Sequence, residues 1–363
     1  LTSHYLSVAN FCMADFGKAI EEGYAAIRLL ERVGDYWKIH MTRYQVAAAL
    51  YHKGYFREAI AEARKNYESG IEKGDYQAAG IILDVWARAK PGDVPDEIIE
   101  AEFARNRDDP QGTCQLLVAK TANLVGKGEF DAAIKTAEEG IEILKNTGLM
   151  NPYPFELFVW GSIAIRKKLE SCSQFAHKHR RNLIRKSLWY LRIGLIHSWL
   201  QPVDRPRLLR ELAILQAMQG QSKRARKNLL ASIRVARDQQ ARFDEGESLR
   251  QLGEIGLALG WPDGKECLDE GMRKLNQLAL THGVNLPKED SQSSAVTVSL
   301  ADRFDSILDV GRKITSALRD QDVYLQTRKA ALRLLRCEEC VLVGSKAGKF
   351  PILHGPRIEV DSS

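Results

Sequence analysis

Between Asp35 and Lys53 the positions Tyr36, Ile39, His40, Tyr44, Ala47, Ala48 and Tyr51 recur largely at steps of three and four. That period predicts a helix with one packed face. A second helix is opened by the phrase Gly54-Tyr55-Phe56-Arg57-Glu58-Ala59-Ile60, and the phrase recurs. It reads Ala14-Asp15-Phe16-Gly17-Lys18-Ala19-Ile20 upstream and Gly128-Glu129-Phe130-Asp131-Ala132-Ala133-Ile134 downstream. Phe16 and Phe56 are 40 residues apart and Phe56 and Phe130 are 74 apart, which leaves room for one degenerate copy. A fixed period of this size marks stacked helical hairpins. Glycine at the turn permits a positive φ. The aromatic is expected to pack under the next helix, and the alanine to sit where two helices approach closely. Phe16, Ala19, Phe56, Ala59, Phe130 and Ala133 are therefore the expected repeat-packing residues.

Asp35 and Asp75 are expected N-caps, again 40 residues apart. The third unit has a first helix over about 76–89, a break at Pro91-Gly92-Asp93, and a short second helix that Pro95 can open. Beyond residue 150 the phrase weakens, but helices are predicted from Pro152 to about Ser171 and from His177 to His197, with a further start at Pro202 and Pro206. The phrase returns at Gly220 and, with an insertion, at Gly260, giving about seven hairpins through His282. This pattern resembles the tetratricopeptide-repeat (TPR) superfamily. The period is longer than the ~34 residues of the standard repeat and is similar to that of MalT-type bacterial regulators.

The C-terminal quarter reads differently. Residues 284–299 carry Pro287 and a polar run from Lys288 to Ser294, as a linker does. Residues 300–318 predict a helix in which Leu300, Phe304, Ile307, Gly311, Ile314 and Leu318 form a heptad seam. That seam suits either a dimer or packing against its own domain. A second helix over about 322–335 and short strands at Cys340–Val343 and from Phe350 to Leu353 follow. With the Phe304–Ile314 segment, this stretch resembles the opening of a GAF sensor domain, truncated over 319–363. The expected fold class is thus mainly α. It is an α-superhelix of TPR-like hairpins over 1–283, followed by linker, signalling helix and a short α/β fragment (the partial GAF domain).

With 44% hydrophobic and 28% charged residues among 363, the chain has the composition of a folded protein. The longest uncharged apolar stretch, Leu157 to Ile165, is nine residues long, against about 20 for a membrane span. The first residues lack a basic segment followed by an apolar core and so do not read as a signal peptide, and six scattered cysteines suit a reducing, cytoplasmic setting. The chain starts without Met, so it reads as a piece of a longer polypeptide. No phosphate-binding loop, dinucleotide fingerprint or zinc-protease motif occurs. Cys337 and Cys340 with His354 fall short of a zinc set. No catalytic residue, cofactor or metal site is expected. Five of the six tryptophans, Trp86, Trp160, Trp189, Trp199 and Trp261, are expected to wedge between helices.

Charge is distributed unevenly. Residues 161–240 hold 18 basic and 4 acidic side chains, whereas residues 1–160 hold 18 and 24. Lys178, Arg180, Arg181, Arg185 and Lys186, with Arg224 and Lys227 on a later helix, are candidates for binding an acidic partner. A solvated outer face and nucleic-acid binding are the other readings of the same block. Against nucleic acid, no helix-turn-helix or aromatic-interleaved basic strand is visible.

A MalT-type array followed by a GAF opening is similar to the large bacterial signalling proteins that carry a Ser/Thr kinase and an ATPase domain upstream. The resemblance implies a non-catalytic module for protein interaction and signal transmission. It would bind a protein partner or neighbouring domains of the same polypeptide, and homodimerise through 300–318. The alternative is a MalT-like transcription-regulator segment, binding nucleic acid or a nucleic-acid-bound partner through the 161–240 block.

Overall fold

The computed structural model describes residues 2–105, 109–171 and 177–283, together with strand segments at 342–343 and 352–354. Fifteen helices lie in the described array, and consecutive ones pack as pairs. They are α1 (Thr2–Cys12), α2 (Phe16–Val33), α3 (Tyr36–Lys53), α4 (Phe56–Lys73), α5 (Tyr76–Ile81), α6 (Leu83–Ala89), α7 (Asp96–Arg105), α8 (Pro110–Lys127), α9 (Phe130–Thr147), α10 (Pro152–Ser171), α11 (His177–His197), α12 (Arg205–Met218), α13 (Ser222–Asp238), α14 (Arg242–Leu259) and α15 (Gly264–His282). α5 and α6 are one helix interrupted at Ile82, so the array comprises seven hairpins. β1 (Leu342–Val343) and β2 (Ile352–His354) pair antiparallel and overlap the two expected strands. The linker, the 300–318 helix with its seam and the remainder of the expected GAF fragment lie outside the described residues.

The turns follow the repeated phrase. Gly54 closes α3 at φ +84°, and the Tyr55 amide reaches the Leu50 carbonyl at 2.9 Å, so the chain reverses within two residues. Ala14 fills the same place in the first copy at φ 60°, a left-handed conformation that costs a non-glycine residue about 1–2 kcal/mol. Asp35 and Asp75 cap as expected, each accepting from a backbone amide at 3.2 Å.

Two layers result. Residues Val46 to Tyr51 of α3 are buried consecutively, and six adjacent helical positions cannot share one face. α3 is therefore surrounded by protein: thirteen of its eighteen residues are buried, against five of eighteen in α4. α6, α8, α10, α12 and α14 behave like α3, whereas the second helix of most pairs buries a single stripe. Phe16, Ala19, Phe56, Ala59 and Ala133 are all buried, as the phrase requires. Phe16 stacks on His52, and Phe56 packs on Tyr51 and Phe243. Phe130 is half-buried and outside the main core. The third copy thus keeps its alanine contact but not the full aromatic cover.

A stack of hairpins ordinarily leaves a concave groove. Here the array turns back on itself, and α3 meets α14 while α4 meets α15. Tyr55 stacks on His282 with centroids 3.8 Å apart, and His282 Nδ1 lies 2.7 Å from Glu58 Oε1. A Cβ on Gly54 would lie 2.9 Å from that of Phe243. The inner helices therefore enclose a filled centre.

Candidate interaction surface and buried charge network

The expected binding residues of α11 lie on an outer helix. Its inward stripe, Leu183, Ile184, Ser187, Tyr190 and Leu191, is buried, and the Ser187 hydroxyl meets that of Ser162 on α10 at 2.6 Å. A side chain at Gly194 would collide with Leu208 of α12, so the helix is seated closely. The opposite stripe exposes Lys178, Arg181, Arg185, Trp189, Arg192 and Ile196. Arg180 is half-buried and lies one turn before the buried Leu183 and Ile184, on the inward side of the helix. Lys186 is ion-paired with Glu138 of α9. Among the described residues no ion pair is formed by Lys178, Arg180, Arg181, Arg185 or Arg192.

Arg224 and Lys227 are exposed on α13, where Arg224 donates to the Gln221 side chain at 3.1 Å. α12 packs against both α11 and α13. The candidate cations therefore fall into two outer patches.

Part of the basic block is paired with carboxylates rather than left free. Arg166 reaches Glu170 at 2.7 Å and Glu211 at 2.6 Å, and Arg237 reaches Glu245 at 2.6 Å. Lys168 pairs with Asp131 and Arg226 with Asp263. Acidic residues within the block and on either side of it thus neutralise part of it, which a tally along the sequence cannot register.

The expectation that these five of the six tryptophans wedge between helices is corrected at two positions. Trp86 and Trp160 are buried. Trp189 is 40% exposed and Trp199, in the turn after α11, is 81% exposed. Beside Trp199 lie Ile196 and Leu200, both exposed, and Met150, whose carbonyl accepts from His197 Nε2 at 3.1 Å. Between α9 and α11 runs an open groove lined by Ile141, Trp189 and Tyr190, with Glu138, Glu142, Lys145 and Lys186 at its sides. Glu142 is paired with Lys145 at 2.9 Å, and Lys145 sits 5.4 Å from the Trp189 ring centre.

The filled centre is a charge network that the sequence reading missed. Arg88 of α6 contacts Glu156 of α10 and Asp84 one turn back. Arg207 of α12 contacts the Tyr51 hydroxyl and lies 3.8 Å from Glu156 Oε2. Arg210 donates to Asp244 of α14 at 2.8 Å. Tyr44 donates to Asp84 at 2.9 Å and accepts from Gln115 at 2.9 Å. The available sign was charged residues inside apolar runs, Arg88 within Val85–Ala89 and Glu156 within Phe155–Phe158.

Burial shifts these groups strongly. It pushes Asp84 up to about 6 against the opposing pull of Arg88. Burial and then the Glu156 charge hold Asp204 well above the carboxylate range. His52 is driven well below its ordinary value by burial and then by Arg207 and Arg88, so it is neutral. Asp244 goes the other way: burial would raise it, but Arg207 and Arg210 hold it low. His52, Glu156 and Asp204 bring ligand-type atoms within 4.8 Å of one another. Arg88 and Arg207 already face Glu156. A divalent cation would therefore have to enter beside two fixed positive charges, and the donor set fits a protein-internal network better than a metal centre.

The chain matches no protein-family model and no curated protein. The described residues define a helical-repeat protein built of stacked hairpins. No described helix is long and apolar enough to cross a membrane.

Proposed function

We propose that this chain is a non-catalytic module for protein interaction and signal transmission within a bacterial multidomain signalling protein of kinase–ATPase–TPR–GAF type, working in the cytoplasm. The observation that carries the reading is the contrast between a filled interior and unpaired outer cations. With the concave face occupied by Arg88, Glu156 and Arg207, recognition falls to the convex surface. There α11 leaves Lys178, Arg181 and Arg185 without carboxylate partners among the described residues. Desolvated pairing with a partner's carboxylates is the use that such cations offer. The MalT-type period supports the repeat assignment. The GAF opening rests on the sequence resemblance, and the 300–318 seam would couple the two as a dimerising helix.

The test is titration of the full chain with a fluorescent poly-glutamate peptide and, separately, with a DNA duplex of equal charge. Reversal of Arg180, Arg181, Arg185 and Lys186 to glutamate should abolish peptide binding, and binding should weaken steeply above ~0.15 M salt. Duplex binding stronger than peptide binding would favour the transcription-regulator reading instead.

A further inference from the structure

We infer that the outward face of α11 and the turn after it dock an acidic amphipathic segment of a partner protein. The partner's carboxylates would meet Arg181, Arg185 and Arg192, and its apolar side chains Trp189, Ile196 and Trp199. This rests on the reading above and adds the second half of the chemistry, since cations alone would need only charge.

Arg181, Arg185, Trp189, Arg192 and Ile196 follow one another within α11 at steps of 4, 4, 3 and 4, which places them along one face of the helix, and Trp199 follows three residues on, in the turn after it. Trp189, Ile196 and Trp199 are 40%, 61% and 81% exposed. An apolar cluster of this kind, continued by Leu200 and Met150, is what soluble proteins present at interaction sites. Tryptophan beside arginine is also the composition enriched among residues that dominate interface energies. The helical part of this line spans about 22 Å at 1.5 Å per residue, the length of a partner helix of about 15 residues.

The occupant follows from the mixture along that line. A nucleic-acid backbone would satisfy the arginines and leave Ile196 and Leu200 against phosphate. A bilayer is flat, whereas Trp189 stands beside a groove containing Ile141 and Tyr190. A groove between helices takes side chains, and a helix with acidic and apolar positions matches both kinds of residue at once.

Two synthetic peptides of equal length and net charge test this with the full chain. One alternates glutamate and leucine at helical spacing, and the other is poly-glutamate with serine spacers. The glutamate–leucine peptide should bind at least about tenfold tighter. Trp199→Ser and Ile196→Ser, at exposed positions where folding is undisturbed, should remove that advantage while leaving poly-glutamate binding unchanged. Arg181→Glu with Arg185→Glu should weaken both peptides. Circular dichroism and the melting temperature confirm that each variant is folded. Equal binding of the two peptides, or no effect of Trp199→Ser, overturns the apolar half of the site while the acidic-partner reading stands. Failure of both peptides to bind overturns the two together. Tighter binding to phosphatidylserine vesicles, to a DNA duplex or to a second copy of the chain overturns the choice of occupant.

Discussion

The rings of Tyr55 and His282 stack 3.8 Å apart with their planes 21° from parallel, joining the second hairpin to the last helix of the array. Residues separated by 227 positions are thereby neighbours. The contact turns an open stack into a closed one, and each nearby position becomes sensitive to closure as well as to local folding.

Gly54 gives the most direct measure of that closure. It has φ +84° and its missing Cβ would meet Phe243 at 2.9 Å, whereas Gly74 has φ +72° with nothing within 4 Å. Both Gly→Ala changes incur the left-handed penalty of about 1–2 kcal/mol. Gly54→Ala should cost more than Gly74→Ala and should enlarge the radius of gyration in small-angle scattering. Equal losses in chemical denaturation, with no expansion, would mean that the closing contact is not maintained in solution.

Ala59 has no exposed surface and occupies the close-approach position of the repeated phrase. Ala59→Leu should overpack that contact and cost about 1–3 kcal/mol in urea unfolding. Unchanged stability would show that the repeat register is misplaced.

Glu156 faces Arg88 and Arg207 in a site nearly free of solvent. Glu156→Gln would leave two guanidinium groups short of a counter-charge and should cost about 3–5 kcal/mol. Glu31→Gln, at an exposed carboxylate 3.7 Å from Arg43, should cost less than about 1 kcal/mol. Differential scanning calorimetry of the two variants separates the cases.

Asp84 sets a pH dependence with a definite sign. Its folded pKa of about 6 lies above the ordinary value of 3.8, so the folded state holds a proton that the unfolded chain releases. That contribution is fully present below the unfolded value and is lost as pH rises through the folded one. The melting temperature of Asp84→Asn relative to the parent should therefore rise between about pH 4 and pH 6, then level off. A difference that stays constant over that window would show that Asp84 is not displaced from its ordinary range.

The local features were legible because they are local. The turn glycines, the Asp35 and Asp75 caps, the breaks at Pro91 and Pro152 and the seven-hairpin rhythm depend on residues a few positions apart. α10 and α11 begin and end where their prolines and polar flanks predict. The cations of α11 were also readable as a cluster, since a helix places every third or fourth residue together. What the sequence left open was decided by angles that accumulate from pair to pair. A small rotation at each hairpin determines whether Phe243 reaches Gly54, and no single segment encodes that sum. The same geometry brought Glu156 to Arg88 and Arg207, matched Arg237 with Glu245, and turned Trp189 and Trp199 outward. Composition supplied those charges and rings. Only tertiary packing determined which of them were buried with partners and which were left facing solvent, because burial depends on neighbours that are distant in the chain.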